Sequence, residues 1–272
     1  MLNKNLWNSL SDLKQIKSYP ELPCPYCGNH KLKLDLSTFQ YKNLTGSVLK
    51  NYNEKYNFKK VQQTFANSDE STFIKLLTGT FAVIDVLSHT PVQFTAFFQC
   101  DICSSSVASL GLAKVQKNKE KLDLSTDMEI KVLSFNPPIP IFELQESTPE
   151  SINNELLHVF NYFHSDISSS GSKLRRAIEH LCFELGCNHK NLHRNIQELS
   201  KQYPQEAKWL ESLKLVGNEA THSGGVSEKD IIDSLQILEV ILDIFRRNEI
   251  EPLINQTALL LENKYTKTSQ VA

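Results

Sequence analysis

Cys24-Pro25-Tyr26-Cys27-Gly28, answered further along by Cys100-Asp101-Ile102-Cys103, decides how the first half of this chain is read. Four thiolates complete the tetrahedron of one Zn²⁺ and leave no position open for a substrate, so the metal they imply is structural. Pro25 and Gly28 supply a turn in which successive backbone amides point at the sulfurs. The second pair follows an apolar run, Phe94 to Phe98, with the character of a strand. The competing reading is of unrelated buried or disulfide-bonded thiols. Against it, Asn3, Lys4 and Asn5 precede an amphipathic stretch, which is no signal-peptide pattern.

The two pairs are separated by 72 residues, far more than a zinc ribbon requires. An insertion with its own helices is therefore expected at about 37–92. Leu6, Leu10, Leu13 and Ile16 recur at helical spacing before the first pair and predict an N-terminal helix. Leu32, Leu34 and Leu36 predict a strand after it, and Met128, Ile130 and Val132 predict another. Phe73 to Leu87 reads as helical or mixed. Lys114, Lys117, Lys119 and Lys121 form the sharpest basic cluster, a surface loop or strand end by default and a phosphate contact in the alternative.

Asn136-Pro137-Pro138-Ile139-Pro140 forbids regular structure and marks a boundary. The expected organisation is a zinc-ribbon-like α+β domain at 1–145, an all-α bundle at 146–262 and a disordered tail at 263–272. Beyond the boundary Ile152, Leu156, Val159, Phe160 and Phe163 share one helical face. Ser168 to Ser172 interrupt the pattern. Leu174, Ala177, Ile178, Leu181, Cys182 and Leu185 form the next stripe, with Gly186 as its stop. Arg175 precedes Glu179 by four residues, as Arg176 precedes His180, so these four either brace the helix or line a groove. Leu192, Ile196 and Leu199 suggest a third helix, and Ala207 to Val216 a fourth that Gly217-Asn218 breaks. Ser227 and Asp230 are spaced as a cap for the last helix. Its rows Ile231/Leu235/Leu238/Leu242/Phe245 and Ile237/Ile241/Ile244 need cover on two sides, from the bundle or from a second subunit. Cys182, Cys187, His189 and His193 lack regular ligand spacing and read as core and surface residues rather than a second metal site.

Of the 272 residues 40% are hydrophobic and 22% charged, a globular composition. No apolar run reaches membrane-spanning length, which implies a cytoplasmic protein. A net charge of −2 argues against a strongly basic nucleic-acid binder. Residues 1–145 hold 16 Lys against 13 acidic residues, and residues 146–272 hold 13 Lys plus Arg against 18.

Leu174-Arg175-Arg176-Ala177-Ile178-Glu179, then Gly186, then Gly217-Asn218-Glu219-Ala220-Thr221-His222 ahead of an amphipathic last helix, resembles the family called domain of unknown function 4145 over about residues 148–250. Members often carry a zinc-ribbon-like segment ahead of the helices, which Cys24, Cys27, Cys100 and Cys103 match. The helical domain is similar in turn to the HEPN class (higher eukaryote and prokaryote nucleotide-binding), many of whose members are RNases of toxin, CRISPR or anti-phage systems. The resemblance implies a nucleic-acid role, a homodimer and a setting in prokaryotic defence. In HEPN ribonucleases an Arg, a polar residue and a His face a dimer cleft and cut RNA without metal. His222 with Asn218 occupies the matching place here. The nearest preceding basic residue is Lys214, which lacks the guanidinium fork. Three readings stay open: a metal-independent endoribonuclease or RNA binder, a non-catalytic adaptor docking a partner nuclease or helicase, and, third, a hydrolase using the zinc. In the adaptor the Gly-Asn-to-His segment is structural, with Gly217 ending a helix.

Overall fold

In a computed structural model the chain is described over residues 1–54, 80, 84, 88–116, 128–222 and 225–268. It is mixed α+β and divides into two compact units, Ser9–Ile139 and Met1–Asn8 with Pro140–Ala272. The chain passes from one to the other after Asn8 and back inside the proline run.

The first unit is built on a five-stranded antiparallel sheet of β1 (Lys14–Gln15), β2 (Leu32–Asn43), β3 (His89–Cys100), β4 (Ser106–Gln116) and β5 (Met128–Asn136), in the order β1-β5-β4-β3-β2. Alternation sends Val92, Phe94, Ala96, Phe98 and Cys100 of β3 into the core. Phe39 stacks on Phe94 at 4.8 Å, and Phe98 meets Phe135 edge-on at 5.3 Å. Gly111 of β4 lies under this cluster, where a Cβ would stand 2.6 Å from Phe94 Cε1 and against the Lys131 carbonyl.

Several expectations are corrected here. Lys114 lies towards a strand end, two residues before the last of β4, but it is not at the surface: it is 3% exposed and stands opposite Glu129 in register. Lys117, Lys119 and Lys121 lie outside the described residues. The insertion is narrower than 37–92, because residues 37–43 and 89–92 extend β2 and β3. It includes the helix α2 (Gly46–Tyr52). The stretch Phe73 to Leu87 lies outside the described residues apart from Thr80 and Ile84. The N-terminal helix α1 covers only Lys4–Ser9. Lys14 and Gln15 pair instead with Ile130 and Glu129 at the sheet edge, so tertiary pairing overrides the helical spacing.

The second unit holds α1 and five further helices: α3 (Glu150–Phe163), α4 (Ile167–Glu184), α5 (Leu192–Leu199), α6 (Pro204–His222) and α7 (Glu228–Thr268). Trp7 of α1 is buried and donates to the Ile141 carbonyl at 2.9 Å. The serines expected to interrupt the pattern instead begin α4, capped by Asp166, whose carboxylate accepts from the Ser169 amide at 3.1 Å. Gly186 ends α4 at φ 86°, with the Cys187 amide bonded back to the Cys182 carbonyl at 2.9 Å. Ser227 and Asp230 form a reciprocal cap for α7: the Asp230 amide donates to Ser227 Oγ at 3.2 Å, and the Ser227 amide to Asp230 Oδ2 at 2.8 Å. Both apolar rows of α7 are covered within one chain, fully except at Ile237. The helix then continues to Thr268, past the tail expected from 263.

Gly217-Asn218 does not break α6, and the reason is packing. Gly171 of α4 faces Ala220 of α6, and Gly217 faces Arg175, where a Cβ would stand 2.8 Å from the Arg175 Cβ. The missing side chains let the two backbones cross closely. Gly217 is a seat for α4, with its φ in the ordinary range, rather than a helix end.

Candidate functional site

The two Cys-x-x-Cys turns fold alike. In each, the fifth residue donates its amide to the carbonyl of the first cysteine, Gly28 to Cys24 at 2.9 Å and Ser104 to Cys100 at 3.0 Å. In each, that fifth residue is left-handed, Gly28 at φ 71° and Ser104 at φ 58°. The sixth residue closes the turn: the Cys24 amide donates to the Asn29 carbonyl and the Cys100 amide to the Ser105 carbonyl. Strand pairing then brings the turns together, since Leu32 stands opposite Cys100 and the Asp101 amide donates to the Lys31 carbonyl at 3.0 Å. Lys33 adds a clasp, reaching Asp101 at 2.6 Å and Glu21 at 3.2 Å.

The four sulfurs consequently lie within 4.8 Å of one another, with Cys24 to Cys103 and Cys27 to Cys100 both 3.7 Å apart. A tetrahedron with Zn–S bonds of about 2.3 Å has edges of about 3.8 Å, so the cage has the size for such an ion. Backbone and side-chain donors surround it. Hydrogen bonds from the Ser105 side chain and amide hold the Cys103 thiol down at about 6, and the Asn29 side chain and amide lower Cys27. Burial pushes Cys24 up to about 12, against the amides of Tyr26 and Cys27. Partners that favour thiolate are what a metal site requires. Asn29 and Ser105 were not identified in the sequence. The signal was their shared place, two residues after the second cysteine of each turn.

Cys182 and Cys187 are buried in the helical unit, and burial pushes Cys182 up to about 12. His189 pairs with Glu198 at 2.6 Å and His193 with Glu211 at 2.8 Å. Among the described residues, the four-cysteine cage is the one group of metal-ligating side chains found.

The residues proposed for chemistry in the helical unit divide differently from expectation. The α4–α6 crossing brings Arg175 onto Asn218, whose Oδ1 accepts from Nη1, while Arg175 Nε donates to Glu179 at 3.1 Å. Ser172 and Thr221 meet at 3.4 Å along the same crossing. Exposed His222 ends α6, one turn beyond Asn218 on the same face. Lys214, one turn the other way, is engaged with Glu211 and stands 3.1 Å from His193 Nδ1. Arg176 turns from His180 to α3, where it and Lys173 flank buried Glu155 at 2.9 and 3.1 Å. His180 is half-buried.

Residues 158–267 match the family described as Domain of unknown function (DUF4145). The helical unit carries a domain of that family. The DUF4145 match includes the α4–α6 crossing and α7 almost to its end. No curated protein and no solved structure matches the chain. Among the described residues no helix is long and apolar enough to cross a membrane.

Proposed function

We propose that this protein binds RNA through the α4–α6 face of its DUF4145 domain and cuts it without metal, as a HEPN-like endoribonuclease, while Zn²⁺ held by Cys24, Cys27, Cys100 and Cys103 stabilises the other unit. One observation carries the reading. Arg175, delivered from α4, is bonded to Asn218, which lies one turn before His222 on α6, and it supplies the guanidinium that α6 itself lacks. A guanidinium can bond two phosphate oxygens at once, and a neutral imidazole can take the proton of a ribose 2′-hydroxyl. Lys214 drops to a supporting role, since Glu211 already holds its charge.

The chemistry needs no bound ion. The imidazole removes the hydroxyl proton as the 2′-oxygen bonds to phosphorus, the guanidinium stabilises the added negative charge, and the bond from phosphorus to the 5′-oxygen breaks, leaving a 2′,3′-cyclic phosphate and a 5′-hydroxyl that takes its proton from water. A cytoplasmic setting in prokaryotic defence belongs to this same reading, and reduced thiolate ligands suit such a compartment.

The test is degradation of single-stranded RNA in EDTA by wild type, His222→Ala, Arg175→Ala and Arg175→Lys proteins. Loss in all three variants is expected, and retained cleavage in His222→Ala refutes the mechanism. A second reading has its own support: Asn218 and Glu179 both tie Arg175 within its chain, as in a scaffold. For such an adaptor, no nucleic acid is turned over and a partner nuclease or helicase co-purifies.

A further inference from the structure

The four cysteines of the cage are not equally open to solvent. Cys24 and Cys100 are 2% and 1% exposed, Cys27 is half-buried and Cys103 is exposed. Asn29 Nδ2 also donates to Cys27 Sγ at 3.5 Å, which ties up that sulfur. A small oxidant arriving from water therefore meets Cys103 first.

The fold fixes its neighbour. Cys24 Sγ lies 3.7 Å from Cys103 Sγ, in the other turn and 79 positions earlier in the chain. Contacts that involve no sulfur hold the two turns together: Leu22 pairs with Leu32, Leu32 stands opposite Cys100, and the Asp101 amide donates to the Lys31 carbonyl. An exposed thiolate poised beside a second, sheltered one is the arrangement in which the first is oxidised and the second resolves it. The helical unit supplies the contrast. Cys182 and Cys187 adjoin at the end of α4, where the Cys187 amide bonds to the Cys182 carbonyl, but they are 0% and 4% exposed and so inert.

We propose that Cys103 is a peroxide-reactive cysteine whose oxidation joins it to Cys24 and opens the metal cage. The Cys103 thiolate attacks one oxygen of hydrogen peroxide, the O–O bond breaks, the other oxygen leaves as hydroxide, and a sulfenic acid remains. The Cys24 thiolate then bonds to the Cys103 sulfur as its S–O bond breaks, releasing a second hydroxide. Two thiolates have lost two electrons, peroxide has gained them, and two protons from solvent complete two waters. Cys27 and Cys100 alone do not make a four-coordinate site, so the metal is lost. A dithiol reverses the step by exchange at the disulfide. The proposal rests on the zinc reading of the cage and not on whether the helical unit cuts RNA.

Treating the zinc-loaded full chain with hydrogen peroxide tests it. A weak colorimetric indicator reports free metal, and alkylation followed by peptide mass mapping locates the bridge. Zinc loss is expected with Cys24 joined to Cys103, Cys182 and Cys187 still reduced, and zinc uptake restored by dithiothreitol. Cys103→His keeps a fourth zinc ligand without the thiol, and is expected to retain its metal under the same treatment. The wild-type map decides even where this variant takes up no zinc. A predominant bridge within one turn, between Cys27 and Cys100 or between Cys182 and Cys187 overturns the proposal, as does zinc retained by wild type or lost equally fast from Cys103→His. A wild type that takes up no zinc at all overturns the metal assignment as well.

Discussion

Exchanging the two small residues at the α4–α6 crossing tests whether close backbone approach, rather than a helix end, explains the Gly-Asn-to-His segment. A Cβ on Gly171 would stand closer than 3.0 Å to the Ala220 Cβ, inside any normal carbon contact. Gly171→Ala gains about 0.5–1 kcal/mol of helix propensity and meets an overpacking cost of about 1–3 kcal/mol. The neighbour is the Ala220 Cβ, fixed to the backbone, so the cost belongs in the upper part of that range and the net loss is about 1.5 kcal/mol. Ala220→Gly alone loses about 1 kcal/mol of propensity. With both changes the propensities cancel and the clash is gone, so the double variant returns to within about 0.5 kcal/mol of wild type. Additivity would instead give a loss of about 2.5 kcal/mol, making the expected coupling about 2.5 kcal/mol.

The chain provides its own reporter. Its two tryptophans, Trp7 and Trp209, both lie in the helical unit. Urea unfolding followed by tryptophan fluorescence therefore reads this unit directly. Four proteins give the cycle. If the double variant is additive within about 0.5 kcal/mol, Gly171 and Ala220 do not touch and the assigned crossing is wrong.

Four further outcomes concern the sheet unit. A strong chelator is expected to remove one zinc per chain, measured by a colorimetric assay, and to lower the unit's melting temperature. Acid does the same, because the ligands must be thiolates; Ser105→Ala raises the pH of metal release by removing the side-chain donor that holds Cys103 at about 6. Ser104→Gly stabilises the unit by about 1 kcal/mol by relieving a left-handed non-glycine residue, and Gly28→Ala costs about the same. Gly111→Ala destabilises it by about 3 kcal/mol, since Phe94 and the Lys131 carbonyl fill the space a methyl needs. Thermal melts followed by circular dichroism, with metal present, decide both comparisons.

What was legible in the sequence was chemistry confined to a few neighbouring residues. The Cys-x-x-Cys turns, the Gly186 stop and the Ser227/Asp230 cap each carry their donors and acceptors within six positions, and the structure places all three as read. Alternating Leu32, Leu34 and Leu36 marked β2, although its continuation to Asn43 was hidden by a register shift between Asp35 and Gln40. Strand β4 escaped because Ser106 to Gln116 mixes Ala, Gly, Ser and Lys. Its strand character comes from pairing on both sides with β3 and β5. Ser104 escaped because a left-handed serine has no signature apart from its matching place in the second turn.

Gly217 shows why the candidate site could be found in the sequence but not assembled there. The same glycine that reads as a helix stop is, in three dimensions, the floor on which Arg175 rests. Propensity along one helix cannot distinguish these roles, because the deciding atom belongs to a residue 42 positions earlier. Once α6 is continuous, Lys214, Asn218 and His222 fall on one face, and the cation that meets Asn218 comes from α4. A sequence search for an arginine just ahead of the Gly-Asn pair does not meet Arg175, which reaches Asn218 from the other helix. The guanidinium is supplied across the crossing, so any loss of the close approach at Gly171 and Gly217 should displace Arg175 before it unfolds the bundle.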